Sequence, residues 1–305
     1  MKPVGRFAPP PSGRLHLGNV FAALLAWLSV RSRDGEMVLR MEDLDTQRTS
    51  ADFAQVLRED LMWLGLDYDR ETPAQSLRTE AYDEAFRILE EKGLIYPCYC
   101  TRSQLHSVNA PHLSDGTYVY PGTCRGLTAQ QRSAFGRKPA WRVRVPEKVW
   151  SFTDRVQGAY SLDLSTECGD MVVRRADGVY VYQLAVTVDD GAAGVTEVTR
   201  GMDLLSSAPR QMYLQELLGL PHPEYAHVPM LLAADGRRLS KRDKDLDLGV
   251  LRTRRKPEEL LGVLAHAAGL IDRQTPVSAR ELAGDFSWER VKKEDICADT
   301  DTLLL

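Results

Sequence analysis

The sequence predicts an α/β fold in which parallel strands, joined by crossover helices, are interrupted by an inserted subdomain and followed by a short helical region. Three observations carry this expectation. Apolar strand-like runs at 4–8 and 36–41 flank a mostly apolar helical run that starts near Asn19, so the natural product is a parallel pair with a crossover helix. From about 97 to 178 the chain changes to short alternating segments punctuated by Gly, Pro and Ser, which fits an insertion better than further doubly wound sheet. Strand-like runs return at 179–188 and 195–199, and an amphipathic helix is expected at 257–270. The expected division is therefore 1–80, the first half of the sheet domain; 81–178, the insertion; 179–232, the second half; and 233–305, a basic segment with a helical subdomain.

The stretch 6–19, RFAPPPSGRLHLGN, organises the first half. Pro9, Pro10 and Pro11 fix φ and forbid a helix, so the chain must arrive extended and turn at Ser12-Gly13. His16, Gly18 and Asn19 then fall at a helix N-terminus, where free N–H groups and the positive dipole end suit a phosphate. The second strand runs out into Glu42-Asp43-Leu44-Asp45, at the strand edge where open α/β sheets bind ligands. Asp43, Asp45 and Arg48 are expected to cap and ion-pair around the next helix. That helix, 51–64, carries Phe53, Val56, Leu57, Leu61 and Leu64 on one face, and Gly65 closes it. Another helix is expected at 80–91, before Gly93.

Five cysteines, an odd count, argue against a disulfide framework. Cys98 and Cys100 lie close to Cys124, whereas Cys168 and Cys297 stand alone. Three thiolates and one more donor would complete a tetrahedral zinc site, with His106, His112, Tyr118 and Tyr120 as candidates for the fourth. In the insertion, Trp141, Arg142 and Arg144 serve equally as nucleic-acid contacts or as strand residues.

Composition bounds the partners. With 43% hydrophobic and 27% charged residues the 305-residue chain is of ordinary globular type, and no run approaches the ~18 apolar residues of a membrane span. A cytoplasmic location is expected, since the N-terminus lacks a signal-peptide pattern. A net charge of -4 argues against strong non-specific nucleic-acid binding and against DNA as a partner. Local basic clusters remain at 237–244 and 252–256, and at Arg290, Lys292 and Lys293, the last two groups serving at least as well as solvated faces.

The HLGN of 16–19 and the RLSKR of 238–242 resemble the two signature motifs of class I aminoacyl-tRNA synthetases, HIGH and KMSKS, in order and separation. GRFAPPPSG with LRMEDLDTQR, and YQLAVTVDDGAAGVTEVTRGMDLLSSAPRQ later, resemble the glutamyl branch. That resemblance implies a Rossmann-type catalytic sheet and an insertion that receives a tRNA acceptor end. It also implies a glutamate site formed by Arg6, Phe7, Ala8, Pro9, Pro10, Glu42, Tyr182 and Arg200. The arginines would read carboxylate, Tyr182 would add a hydroxyl and Glu42 would meet the α-ammonium. An arginine fork matches a carboxylate bidentately, so a glutamine side chain would leave buried charge unpaired, at a cost of roughly 1–3 kcal/mol. His16, Gly18, Asn19, Ser240 and Lys241 would bind ATP, with His16 and Lys241 catalytic. Two positions depart from the family pattern: Arg238 replaces the first lysine of the basic motif, and Pro10 replaces a serine.

The glutamyl-Q tRNA(Asp) synthetase group carries a Cys-x-Cys then Tyr-x-x-x-Cys zinc site, and Cys98, Cys100, Tyr120 and Cys124 match it, which makes Tyr120 the implied fourth ligand. The short stretch after Arg242, without an anticodon-binding domain, points to the same group. The resemblance implies activation of L-glutamate by ATP, with Mg²⁺, and transfer to queuosine in the anticodon loop of tRNA(Asp). The alternatives are a compact ligase charging a tRNA 3′ end, and a non-enzymatic paralogue acting as a binding or regulatory module.

Overall fold

A computed structural model describes residues 2–107, 119–233, 236–237 and 247–297. Arg238, Ser240, Lys241, His112 and Tyr118 lie outside the described residues, as does the side chain of His106.

The first half is a parallel unit. β1 (Val4–Phe7), β2 (Glu36–Leu39) and β3 (Arg70–Glu71) pair in that order, with α1 (Leu17–Arg31) crossing between the first two and α2 (Ala51–Trp63) between the next two. The polyproline stretch does its expected work: Gly13 turns with φ at 148°, and α1 begins two residues before Asn19. Leu17, Val20, Phe21, Leu24, Leu25 and Leu28 bury the helix against the sheet. Gly5 permits this approach, because a Cβ there would stand 2.5 Å from the Val30 side chain. Phe53 is 40% exposed rather than part of the buried face of α2, where Leu57 and Leu61 make the contact while the first turn overhangs.

α3 (Thr79–Glu91) leads into antiparallel structure. β4 (Ile95–Cys98), β5 (Ala140–Val143) and β8 (Met171–Arg174) form one sheet, and β6 (Val149–Asp154) with β7 (Gly158–Asp163) form a hairpin. The short helices α4 (Arg102–Ser107), α5 (Ala129–Ser133) and α6 (Leu164–Glu167) lie between them. Here Trp141 packs edge-on against Phe86 at 5.4 Å, and Arg142 is buried with its guanidinium 3.7 Å above the Tyr120 ring. Both residues thus take part in packing the insertion.

The strand expected at 179–188 is α7 (Tyr182–Ala192) instead. Its alternation of apolar residues came from a helix buried on several faces, by Leu184, Ala185, Val186 and Thr187, where period alone does not separate helix from strand. β9 (Glu197–Gly201) and β10 (Glu224–Val228) pair in parallel across α8 (Ser207–Leu218). β9 also lies beside β1, where Thr196 donates its N–H to the Val4 carbonyl and its hydroxyl accepts from Val4 N–H. The strands thus run β10, β9, β1, β2, β3, with the order reversing between β1 and β9, the crevice where such sheets bind ligands. β11 (Leu231–Leu232) pairs with β12 (Ile296–Cys297), enclosing α9 (Leu248–Arg254), α10 (Pro257–Ala268) and α11 (Ala279–Gly284). α10 buries Leu260, Leu261 and Leu264 in the same core as α1. No described helix is long and apolar enough to cross a membrane.

Candidate active site

A cavity of about 870 Å³ opens at the reversal between β1 and β9. Arg6, Phe7, Ala8, Pro9 and Pro10 line it from the first strand and its continuation, and Glu42 from the continuation of the second. His16, Gly18 and Asn19 line it from the start of α1, Tyr182 from the first turn of α7, and Arg200 from β9. Every described residue expected at the site therefore reaches one space. Ser240 and Lys241 lie outside the described residues, although Leu248 at the return of that segment donates its N–H to the Leu15 carbonyl beside His16.

The phosphate-like end is a helix start. His16 caps α1 from an extended conformation, and Asn19 Oδ1 accepts the His16 N–H at 3.3 Å. A Cβ on Gly18 would meet the His16 ring at 3.2 Å, so the glycine leaves that imidazole its place. The positive helix end lies at the cavity wall, a fixed partial charge suited to an anion.

The opposite end is cationic and buried. Arg6 and Arg200 are 6% and 5% exposed, and each holds part of its guanidinium in protein contacts. Arg6 donates to the Thr199 carbonyl at 3.0 Å and stands 3.7 Å from Asp190. Arg200 donates to His227 Nε2 at 2.9 Å, to Gln211 Oε1 at 2.8 Å and to the Tyr182 hydroxyl at 3.4 Å. Arg200 Nη2 has no hydrogen-bond partner, whereas Arg6 Nε, also without a hydrogen bond, faces Asp190 at 3.7 Å. Buried arginine donors are rarely left unsatisfied, so Arg200 Nη2 marks the place of an acceptor such as a carboxylate. Burial lowers the Arg6 pKa, opposed by Asp190 and assisted by Arg40 and Arg200; an arginine nonetheless stays charged.

Behind them lies a charge network. Fully buried Arg40 donates to Asp190 at 2.6 Å and to Glu42 at 3.0 Å, and Asp189 takes bonds from Gln75, Arg78 and Tyr82. Burial pushes the Glu42 carboxyl up, against the pull of Arg40. Asp43 binds Ser76 through both its backbone N–H and its hydroxyl, so it fixes a later turn rather than the next helix, which Ser50 caps.

Sequence reasoning passed over Arg40, Asp154, Asp189, Asp190, Gln211 and His227. Arg40 and the two aspartates carried a signal, since charges sit badly in apolar segments unless paired. His227, alone in a strand, carried none.

A second constellation lies in the insertion. The sulfurs of Cys98, Cys100 and Cys124 fall within 4.8 Å of one another. The Tyr120 hydroxyl is 3.4 Å from Cys98 Sγ and 3.8 Å from Cys100 Sγ. The residues fit one tetrahedral ion with a thiolate-rich donor set. Burial alone would raise the Cys98 thiol, but the Tyr120 hydroxyl and the Arg142 guanidinium outweigh it and hold the thiol below its ordinary value. Burial pushes Cys100 up to about 11 and Tyr120 well above its ordinary range, so the phenol keeps its proton until a cation displaces it. Cys124 N–H, donating to the phenol oxygen at 2.8 Å, would stabilise the resulting phenolate.

Comparison with known proteins gives the family and the fold. The family model described as the catalytic domain of class I tRNA synthetases (E and Q) matches residues 3–303. The Glutamyl-Q tRNA(Asp) synthetase of Nitratidesulfovibrio vulgaris is 42% identical, over 98% of this chain and 96% of that one. Its namesake in Symbiobacterium thermophilum is 44% identical, over 98% and 97%. Among solved structures, a glutamate tRNA ligase of Elizabethkingia meningosepticum, crystallised in complex with its amino acid, superposes with a TM-score of 0.84 at 26% identity, covering 99% of this chain and 68% of that one.

Proposed function

The chain belongs to the class I tRNA synthetases of the E and Q type, and from that premise we propose that it activates L-glutamate with ATP and passes it to queuosine in the anticodon loop of tRNA(Asp). The observation that carries the first step is the pair of buried arginines, Arg200 with an unsatisfied Nη2, at one end of a cavity whose other end is a helix N-terminus. An acidic amino acid and a nucleotide triphosphate fit these two ends.

In the reaction, a glutamate α-carboxylate oxygen attacks the α-phosphorus of ATP, the bond to the bridging oxygen breaks, and pyrophosphate leaves. A queuosine hydroxyl then attacks the acyl carbon of the adenylate, losing its proton as AMP departs. The first step needs no protein nucleophile; it needs positioning and charge neutralisation. Arg6 and Arg200 bind the side-chain carboxylate, Glu42 and the Tyr182 hydroxyl orient the amino acid, and the α1 terminus with His16, Gly18 and Asn19 takes the phosphates. Ser240 and Lys241 complete the ATP site. Mg²⁺, when bound with ATP, supplies further neutralisation of phosphate charge. Cys98, Cys100, Tyr120 and Cys124 would hold one structural zinc ion, which locks the insertion together. Use of ATP and tRNA fits the cytoplasm, with no membrane or DNA partner.

The relatives' names support the queuosine acceptor over a tRNA 3′ end. The test is incubation of the protein with labelled glutamate, ATP and either tRNA(Asp) or tRNA(Glu), followed by fragment mapping. Label in the anticodon-loop fragment of queuosine-containing tRNA(Asp) is expected. Label at the 3′ terminus of tRNA(Glu) would replace this reading with that of a compact charging ligase.

A further inference from the structure

Arg200 reaches the cavity from a strand, yet its orientation is set from behind. Its Nε donates to His227 Nε2 at 2.9 Å, so that imidazole nitrogen must be bare and its proton must sit on Nδ1. His227 Nδ1 faces Asp154 Oδ2 at 2.6 Å, the acceptor such a proton requires. Both side chains are fully buried. Asp154 is itself fixed: its Oδ1 receives the N–H groups of Val156 and Gln157, each at 2.9 Å, and its two oxygens share that of His227 at 3.1 Å. Burial pushes His227 down to about 4, which keeps it neutral and able to accept. The Tyr225 ring, nearly parallel at 6.0 Å, restricts the imidazole plane.

We propose that Asp154 and His227 are positioning residues for substrate recognition: the Asp154 carboxylate fixes the His227 tautomer, and His227 Nε2 turns the Arg200 guanidinium so that its open edge meets the substrate carboxylate. The relay starts at the end of β6 in the insertion, and so couples that hairpin to the amino-acid site in the parallel sheet. It rests on the reading of the cavity as a glutamate site.

Asp154→Asn separates this role from packing. Two backbone N–H groups, those of Val156 and Gln157, go to Oδ1 alone, so the new amide keeps its oxygen there and presents its NH₂ to Nδ1. The imidazole then carries its proton on Nε2, and donor faces donor at Arg200. His227→Gln is the larger change in shape but retains an oxygen able to accept from Arg200. In glutamate-dependent pyrophosphate exchange, D154N is expected to raise the glutamate KM about tenfold while the ATP KM moves less than about twofold, and H227Q is expected to raise the glutamate KM less than D154N does. An unchanged glutamate KM in D154N, parallel rises for both substrates, or H227Q worse than D154N would overturn the relay. A wild-type protein inert toward glutamate would overturn the cavity reading first and the relay with it. Should D154N not fold, ¹⁵N shifts of His227 in the wild-type protein decide: a proton on Nδ1 supports the relay and a proton on Nε2 contradicts it.

Discussion

Arg40 donates a 2.6 Å hydrogen bond to Asp190 across 150 positions of sequence, joining the end of the second strand to α7 beneath the cavity. Asp190 also faces Arg6 at 3.7 Å, so it bridges two buried guanidinium groups, of which Arg40 is further paired with Glu42 at 3.0 Å and Asp189 at 3.9 Å. Asp190→Asn keeps the shape and removes the charge. It is expected to destabilise the fold by about 3 kcal/mol, the usual cost of breaking a buried pair, measured as a fall in the urea midpoint. A change within about 0.5 kcal/mol would show that Glu42 and Asp189 suffice to balance the arginines.

Arg200→Ala removes the donor group at the far end of the cavity. Glutamate KM is expected to rise roughly 10- to 100-fold, with discrimination against glutamine reduced and ATP binding kept. The check is exchange kinetics with both amino acids. Equal losses for glutamate and ATP would remove Arg200 from amino-acid recognition.

The purified protein is expected to carry one zinc ion per chain, released by chelator with loss of thermal stability. Tyr120→Phe keeps the three sulfurs and removes the oxygen donor, and is expected to weaken zinc roughly 10- to 100-fold in a competition titration. Full retention of affinity would give the fourth position to another donor.

His227 sets a pH dependence of stability. Its folded value, about 4, lies below the ordinary 6.5 because burial disfavours the imidazolium. Between these values the unfolded chain binds a proton that the folded one does not, so this contribution is present above pH 6.5 and is lost as pH falls toward 4. It amounts to about 3 kcal/mol. Urea midpoints from pH 7 to pH 4 are expected to fall less steeply in H227Q, which loses the buried imidazole together with the part of the Asp154 depression that His227 supplies. Identical slopes would place the proton uptake elsewhere.

Local chemistry made much of this legible in the sequence. The prolines before Ser12-Gly13, the helix start at His16 and the Cys98–Cys100–Cys124 spacing each impose a geometry that depends on few distant residues. Tyr182 lines the cavity from a helix where a strand is expected, because a helix buried on several faces loses the period that separates it from a strand. The supports were less visible. Asp154 and His227 act through partners far along the chain, and nothing beside them signals that Arg200 would need them. Burial, which no local pattern states, decided which charges became scaffold.

Pyrophosphate exchange into ATP, run with glutamate, glutamine and aspartate and without tRNA, tests the central reading most directly. Exchange with glutamate alone is predicted, because only its side chain places a carboxylate at Arg6 and Arg200 while its α-carboxylate reaches the nucleotide. Equal exchange with glutamine, or none with any of the three, would contradict it.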